Sequence, residues 1–124
     1  MKKAVSSLLV ETIEPSLVFW TERLGFSKAV EVPGDDGIAF VMLINGEIEV
    51  HLQTRASAVK DMPYFAGTQM PPTSFLYVDV EDVHGLYEKL KDCEIILPPE
   101  KTFYGATHFF LKEPGGHVLG LRRG

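Results

Sequence analysis

Cysteine is nearly absent: Cys93 stands alone in 124 residues. One thiol cannot form an internal disulfide or a clustered-thiolate zinc site, and such usage fits a reducing compartment. No apolar run approaches the roughly 18 residues needed to span a bilayer. Met1-Lys2-Lys3 leads straight into a strand pattern rather than a signal-peptide core, so a cytoplasmic location with no membrane partner is expected. Basic residues are the minority, 12 Lys and Arg against 17 Asp and Glu, a formal net charge of −5. A concentrated basic face for phosphate is missing, which argues against nucleic acid as a partner. Catalytic signatures are scarce too. There is no Gly-x-Ser-x-Gly elbow, and Gly115-Gly116 lacks the strand and helix context of a dinucleotide loop. The paired acids Asp35-Asp36 and Glu81-Asp82 fall in a turn and a helix start, where solvation explains them.

What is present is ordinary globular material, 45% hydrophobic and 23% charged, enough to bury a sizeable core. Ala4 to Val10 reads as a strand. Thr12 is positioned to cap a helix that tolerates Pro15 in its first turn. Ile13, Leu17, Trp20 and Leu24 then mark one apolar face, and Gly25 ends it. Trp20 is expected in the core, with Phe19 off that stripe. Phe26 to Val32 is the next strand, Pro33 to Gly37 a turn, and Ile38 to Ile44 another strand. Asn45-Gly46 signals a two-residue hairpin leading into Ile48 to Gln53. In that strand Glu49, His51 and Gln53 share one face and Ile48, Val50 and Leu52 the other.

Residues 56–73 show no sustained period and read as a connector, with Tyr64 and Phe65 placed either to cover a site or to pack on an edge. Ser74 to Val80 opens a second series. A helix follows from Glu81 or Asp82, with Val83, Leu86, Tyr87 and Leu90 as its stripe. Next come a short strand, Glu94 to Leu97, a loop carrying Phe103, Tyr104 and Gly105, and two strands, Ala106 to Lys112 and His117 to Arg122, joined by a Glu-Pro-Gly-Gly turn. Val10, Ile13, Leu17 and Trp20 match Val80, Val83, Tyr87 and Leu90 at one offset. Phe40 and Leu52 match Phe109 and Leu121 at an offset one shorter. The chain is therefore an internal duplication. The expected fold is α+β, two βαβββ modules (1–55 and 74–124, with connector 56–73) forming an open, cleft-bearing mixed barrel within a single domain.

Pro98-Pro99-Glu100, Tyr104-Gly105 and the turn Glu113-Pro114-Gly115-Gly116-His117 resemble the closing signature of the vicinal oxygen chelate superfamily, the glyoxalase, bleomycin-resistance and extradiol-dioxygenase group. Glu113 stands for the usual Asp and His117 for the usual Asn. The resemblance implies the paired βαβββ fold and a homodimer. Metal-dependent members place ligands on the first and fourth strand of each module, which the duplication carries onto Val5, His51, Phe75 and Gly120. Only His51 can ligate, and neighbouring registers restore no ligand set, so no metal and no other cofactor is expected. A nonstandard site from Glu49, His51 and His108 remains as an alternative.

The inner faces offer Ser7, Glu49, His51, Gln53, Phe75, Tyr77, His108 and Arg122, with Phe103 and Tyr104 on an overhanging loop. Of these His108 is the one whose face alternation leaves open. Aromatic walls with a few placed polar groups suit a small-molecule pocket; they also suit the filling of a small barrel. Two functions follow. One is metal-independent binding of a flat or cationic compound, as the resemblance to the bleomycin-resistance branch implies. The other is a glyoxalase-type lyase or a dioxygenase using His51 as general base or atypical ligand.

Overall fold

The computed structural model describes residues 2–67 and 74–124. The chain falls into two compact units, Met1–Met70 and Pro71–Gly124. Each unit holds a four-stranded mixed sheet.

In the first unit, strand β1 (Ser6–Val10) leads into helix α1 (Glu14–Val18). Pro15 sits in its first turn as expected, but Ile13 occupies the N-cap position with no side-chain cap, so Thr12 does not serve there. The single helix expected to run on to Leu24 instead widens into a π-turn, Phe19–Arg23, in which Leu24 N–H reaches back five residues to Phe19 C=O at 3.3 Å. The extra residue per turn carries Phe19 inward together with Trp20, and both are buried. Phe19 therefore belongs to the core, contrary to its place off the 3.6-residue stripe. Gly25, at φ +75°, ends the segment.

Strands β2 (Ser27–Gly34), β3 (Gly37–Asn45) and β4 (Ile48–Thr54) follow as an antiparallel run. The β3–β4 loop is Gly46-Glu47 rather than Asn45-Gly46, because Asn45 still pairs with Ile48, and Gly46 takes the positive φ of +60° that the turn needs. Strand order is β1-β4-β3-β2, with β1 parallel to β4. Val10, Val41, Leu43, Val50 and Leu52 share the buried face, joined in the core by Ile13 and Trp20. Part of the expected connector is ordered as helix α2 (Arg55–Asp61), capped by Thr54 Oγ1 accepting from Ser57 N–H, and a 3-10 turn, Pro63–Gly67. Only residues 68–73 of that connector lie outside the described part. Its seven-residue helix escaped the periodicity reading because two turns are too short to show a period.

The second unit repeats the arrangement with β5 (Phe75–Asp79), α3 (Val83–Leu90), β6 (Glu94–Lys101), β7 (Thr107–Lys112) and β8 (Val118–Arg123), in the order β5-β8-β7-β6. Asp82 caps α3 by accepting from Gly85 N–H at 2.9 Å. Val83 and Leu90 of the expected stripe are buried, and Tyr87 meets the buried Phe109 edge-on. Strand β6 continues to Lys101, with Pro98 and Pro99 in a register shift between Leu97 and Glu100 and pairing resumed at Glu100 and Lys101, part of the stretch expected to be a loop. An edge position makes this possible, since a proline facing away from the ladder loses no bond. The Glu113 turn closes in spite of its departure from Asp. Buried Glu113 accepts from His117 N–H at 3.0 Å, and Gly116 takes φ +93°.

Both sheets keep two edge strands, so neither closes into a barrel on itself. Among the described residues, no helix is long and apolar enough to cross a membrane.

Candidate functional site

In a ladder, residues directly opposite each other share a face. In the second unit the pairings put Phe75, Tyr77 and Asp79 of β5 on one face, with Val118, Gly120 and Arg122 of β8 and Lys112, Phe110 and His108 of β7. Glu100 of β6 lies opposite His108. Leu76, Val78, Leu119, Leu121, Phe109 and Leu111 take the other face, where Phe109 meets α3. The first face is thus available to chemistry, and His108 belongs to it.

Two rows of side chains cross that face. The outer row is Asp79, Arg122, His108 and Glu100, acid beside base and base beside acid. Arg122 Nε donates to Asp79 Oδ1 at 2.6 Å, and His108 Nε2 lies 3.2 Å from Glu100 Oε1. Asp79 holds the Arg122 guanidinium protonated even more firmly than usual. The inner row is Tyr77, Gly120 and Phe110, with the Tyr77 and Phe110 rings stacked at 5.7 Å and 17°. Phe75 meets both rings edge-on, at 5.9 and 5.2 Å.

Gly120 is what allows this stack. A Cβ built there would lie 2.6 Å from Phe110 Cε2 and 2.7 Å from Tyr77 Cδ1, closer than real Cβ contacts allow. The two rings occupy the space above the central strand that a side chain at 120 would otherwise fill.

Tyr77 is the hub of the face. Its hydroxyl lies 2.5 Å from His108 Nδ1 and 2.9 Å from the Tyr104 hydroxyl, and the Arg122 guanidinium carbon sits 4.7 Å from its ring centroid. Burial, and then the hydrogen bond with Tyr104, push the Tyr77 phenol above its ordinary value. Tyr104 is held over the sheet edge by a tight turn. Thr102 N–H donates to Ala106 C=O at 2.8 Å, Ala106 N–H donates to Thr102 Oγ1 at 2.9 Å, and Gly105 at φ +89° reverses the chain. Phe103 is fully exposed and meets Tyr104 edge-on at 5.1 Å.

The first unit places Ser7, His51, Met42 and Val30 in a row across one face, with Glu49 and Gln53 on the same side of β4. His51 Nε2 and Glu49 Oε2 are 2.6 Å apart, Lys3 Nζ donates to Glu49 Oε1 at 2.6 Å, and Phe40 meets the imidazole edge-on. Lys3, and then His51, hold the Glu49 carboxyl below the ordinary carboxylate range. Gln53 turns to α2, donating to Ser57 Oγ and Asp61 Oδ2.

Of the ten sequence-derived candidates, Glu49 and His51 form one pair with Ser7 beside His51 in the ladder, while Gln53 is committed to α2. Phe75, Tyr77, Tyr104, His108 and Arg122 gather on the second sheet, with Phe103 at its rim. Sequence reasoning missed Phe110 and Asp79, both legible as positions two residues from His108 and Tyr77 on alternating strands, and missed Lys3 and Phe40.

The metal positions carried over from the resemblance fare differently. His51 has Ser7 as its strand partner, and Gly120 has Tyr77. Val5 and Phe75 supply no donor atom. Glu49 and His51 make a pair, and among the described residues no group of three or more His, Cys, Asp or Glu side chains gathers for an ion. The alternative set of Glu49, His51 and His108 divides between the two units. Among the described residues, the carried-over positions supply one metal-binding side chain, His51, too few to hold an ion by themselves.

Comparison with known proteins gives the family. Residues 4–121 match the description "Glyoxalase/Bleomycin resistance protein/Dioxygenase superfamily". A search among curated proteins returned no match. Among solved structures, a glyoxalase/bleomycin resistance protein/dioxygenase family enzyme from Burkholderia phytofirmans PsJN is similar at a TM-score of 0.80 and 17% identity, covering 95% of this chain and 94% of that one. Lactoylglutathione lyase from Agrobacterium tumefaciens is similar at 0.76 and 11%, covering 98% and 92%. A bleomycin-binding protein from bleomycin-producing Streptomyces verticillus, complexed with copper(II)-bleomycin, is similar at 0.65 and 19%, covering 100% and 97%. At these identities the likeness is one of fold, and the fold carries both catalysts and binders.

Proposed function

Because this chain belongs to the glyoxalase/bleomycin resistance protein/dioxygenase superfamily, we propose that it is a metal-independent binding protein that holds a flat, small, often cationic compound against the aromatic face of its second sheet. The observation that carries the reading is Gly120 beneath the Tyr77 and Phe110 rings. Where the family resemblance puts a ligand-bearing side chain, this chain has two stacked rings and no room for one. Rings with a few placed polar groups are the material of small-molecule sites. Phe75 and Tyr104 keep about half their surface exposed, which leaves aromatic area for a ligand to cover. The likeness to a bleomycin-binding protein supports binding as a use of this fold.

The reading places the protein in the cytoplasm as a homodimer without a nucleic acid partner. Single Cys93, the net charge of −5 and the edge strand β2, exposed along its length, support it. The competing reading, a glyoxalase-type lyase or dioxygenase using His51, draws on the 2.6 Å Glu49 contact, which would orient the imidazole as a base. It requires a turnover that His51→Gln abolishes.

The test combines elemental analysis after incubation with each first-row divalent metal and thermal shifts with a panel of flat aromatic compounds. Expected are no stoichiometric metal and a stabilising shift from some panel members that Phe75→Ala removes. One tightly held ion per chain, or a panel without a single shift, overturns the proposal.

A further inference from the structure

Four side chains of the second unit form one hydrogen-bonded chain, Glu100 to His108 to Tyr77 to Tyr104, with contacts of 3.2, 2.5 and 2.9 Å. The hydrogens in that chain can be counted. An ionised carboxylate only accepts, so the contact at Glu100 is filled by His108 Nε2–H. A neutral imidazole then has no hydrogen on Nδ1, and the contact there is filled by the Tyr77 hydroxyl. Tyr77 has spent its one hydrogen, so Tyr104 must donate to it. Every hydrogen points toward Glu100, and Tyr104 Oη ends the chain with lone pairs and no hydrogen to give.

We propose that this site selects flat aromatic ligands carrying a hydrogen-bond donor, a phenolic O–H or an aromatic N–H, which Tyr104 Oη accepts, an inference that rests on the binding reading above. Tyr104 stands at the exposed end of the chain and Phe75 offers a half-exposed ring on the same face, edge-on to Tyr77. A ligand with a donor extends the chain by one link. A ligand with only an acceptor meets lone pair with lone pair and leaves a desolvated group unpaired. The raised Tyr77 phenol keeps its hydrogen well into alkaline solution, so the direction of the chain holds there. The other charges on the face are paired among themselves, Arg122 with Asp79 at 2.6 Å and Lys112 with Glu94 at 3.9 Å.

The experiment is calorimetric titration of the full chain at pH 8, where an ordinary imidazole is neutral. The probes are 2-naphthol, 2-aminonaphthalene, 2-methoxynaphthalene and quinoline. The first two share a flat double ring with the second two but add a donor. Both donors are expected to bind tighter than both acceptors by about tenfold or more. Tyr104→Phe removes the accepting oxygen and should erase the preference, with 2-naphthol losing affinity relative to 2-methoxynaphthalene. Glu100→Gln is the sharper variant. Its amide can donate to Nε2, which moves the imidazole hydrogen to Nδ1 and turns both phenols around, so the preference should shrink or reverse without any change to the residues that touch the ligand. Equal affinity for donors and acceptors, or a preference that survives both substitutions, overturns the inference and leaves the binding reading standing. Failure of all four probes to bind the unsubstituted protein overturns both.

Discussion

Gly120→Ala should destabilise the protein, although replacing glycine by alanine within a strand ordinarily does the opposite. The usual gain is about 0.5–1 kcal/mol, from the freedom glycine loses on folding. Here the added methyl would sit 2.6 Å from Phe110 Cε2, 2.7 Å from Tyr77 Cδ1 and 2.9 Å from Phe110 Cζ. Tyr77 cannot withdraw freely, because its hydroxyl is tied to His108 at 2.5 Å and to Tyr104 at 2.9 Å. Overpacking of this kind costs about 1–3 kcal/mol, so the net loss is about 1–2 kcal/mol. For a chain of this size that is a fall in Tm of roughly 4–8 °C. Thermal unfolding followed by circular dichroism reads the fall, and the near-ultraviolet band reports the displaced tyrosine. Phe110→Leu in the same background makes room for the methyl, and the two substitutions should couple by about 1 kcal/mol in the relieving direction. A Tm at or above that of the unsubstituted protein, or strict additivity of the pair, would refute the packing account.

The Glu49 carboxyl should titrate below the ordinary carboxylate range by NMR, and Lys3→Met should move it upward. Its folded pKa is depressed, so its contribution to stability is complete above the unfolded value and is lost as pH falls through the folded one; the acid limb of unfolding should therefore flatten in Lys3→Met. An unchanged titration would remove Lys3 as the cause. Ser16 is buried at 0% exposure, and its hydroxyl has no partner among the described residues. Ser16→Ala should accordingly raise stability by about 1 kcal/mol in urea unfolding, and a loss would mean that the oxygen is satisfied in solution.

The duplicated βαβββ order was legible because it rests on patterns repeated over several residues. Alternation in β4 told Glu49, His51 and Gln53 from Val50 and Leu52, and the structure keeps that division. Segments whose form depends on one hydrogen bond more or less were not legible. The π-turn at Phe19 arises from a single ladder slip, and nothing in the residue types announces it. Extension of β6 through two prolines depends on the edge position, which sequence alone does not give. At the site, Phe75, Tyr77 and Arg122 could be gathered by alternation within strands, and Tyr104 by its place on the loop beside them. The role of Gly120 could not, because an absent side chain acquires meaning only once its neighbours on β5 and β7 are known. The register across β8 supplies them: Tyr77 on one side and Phe110 on the other.

Each sheet is completed by a parallel pair between its first and last strands, Ser6 beside Val50 and Phe75 beside Val118. The three strands after each helix can assemble as local hairpins, whereas the first strand made has no partner until the last has formed. Folding of each unit should therefore end with the docking of β1 or β5, once the loop-closure entropy of the intervening chain has been overcome. Phe75 and Tyr77 ride on β5. The aromatic face is thus assembled in the closing step of its unit, and any state in which β5 is undocked is folded in its hairpins yet blind to ligand.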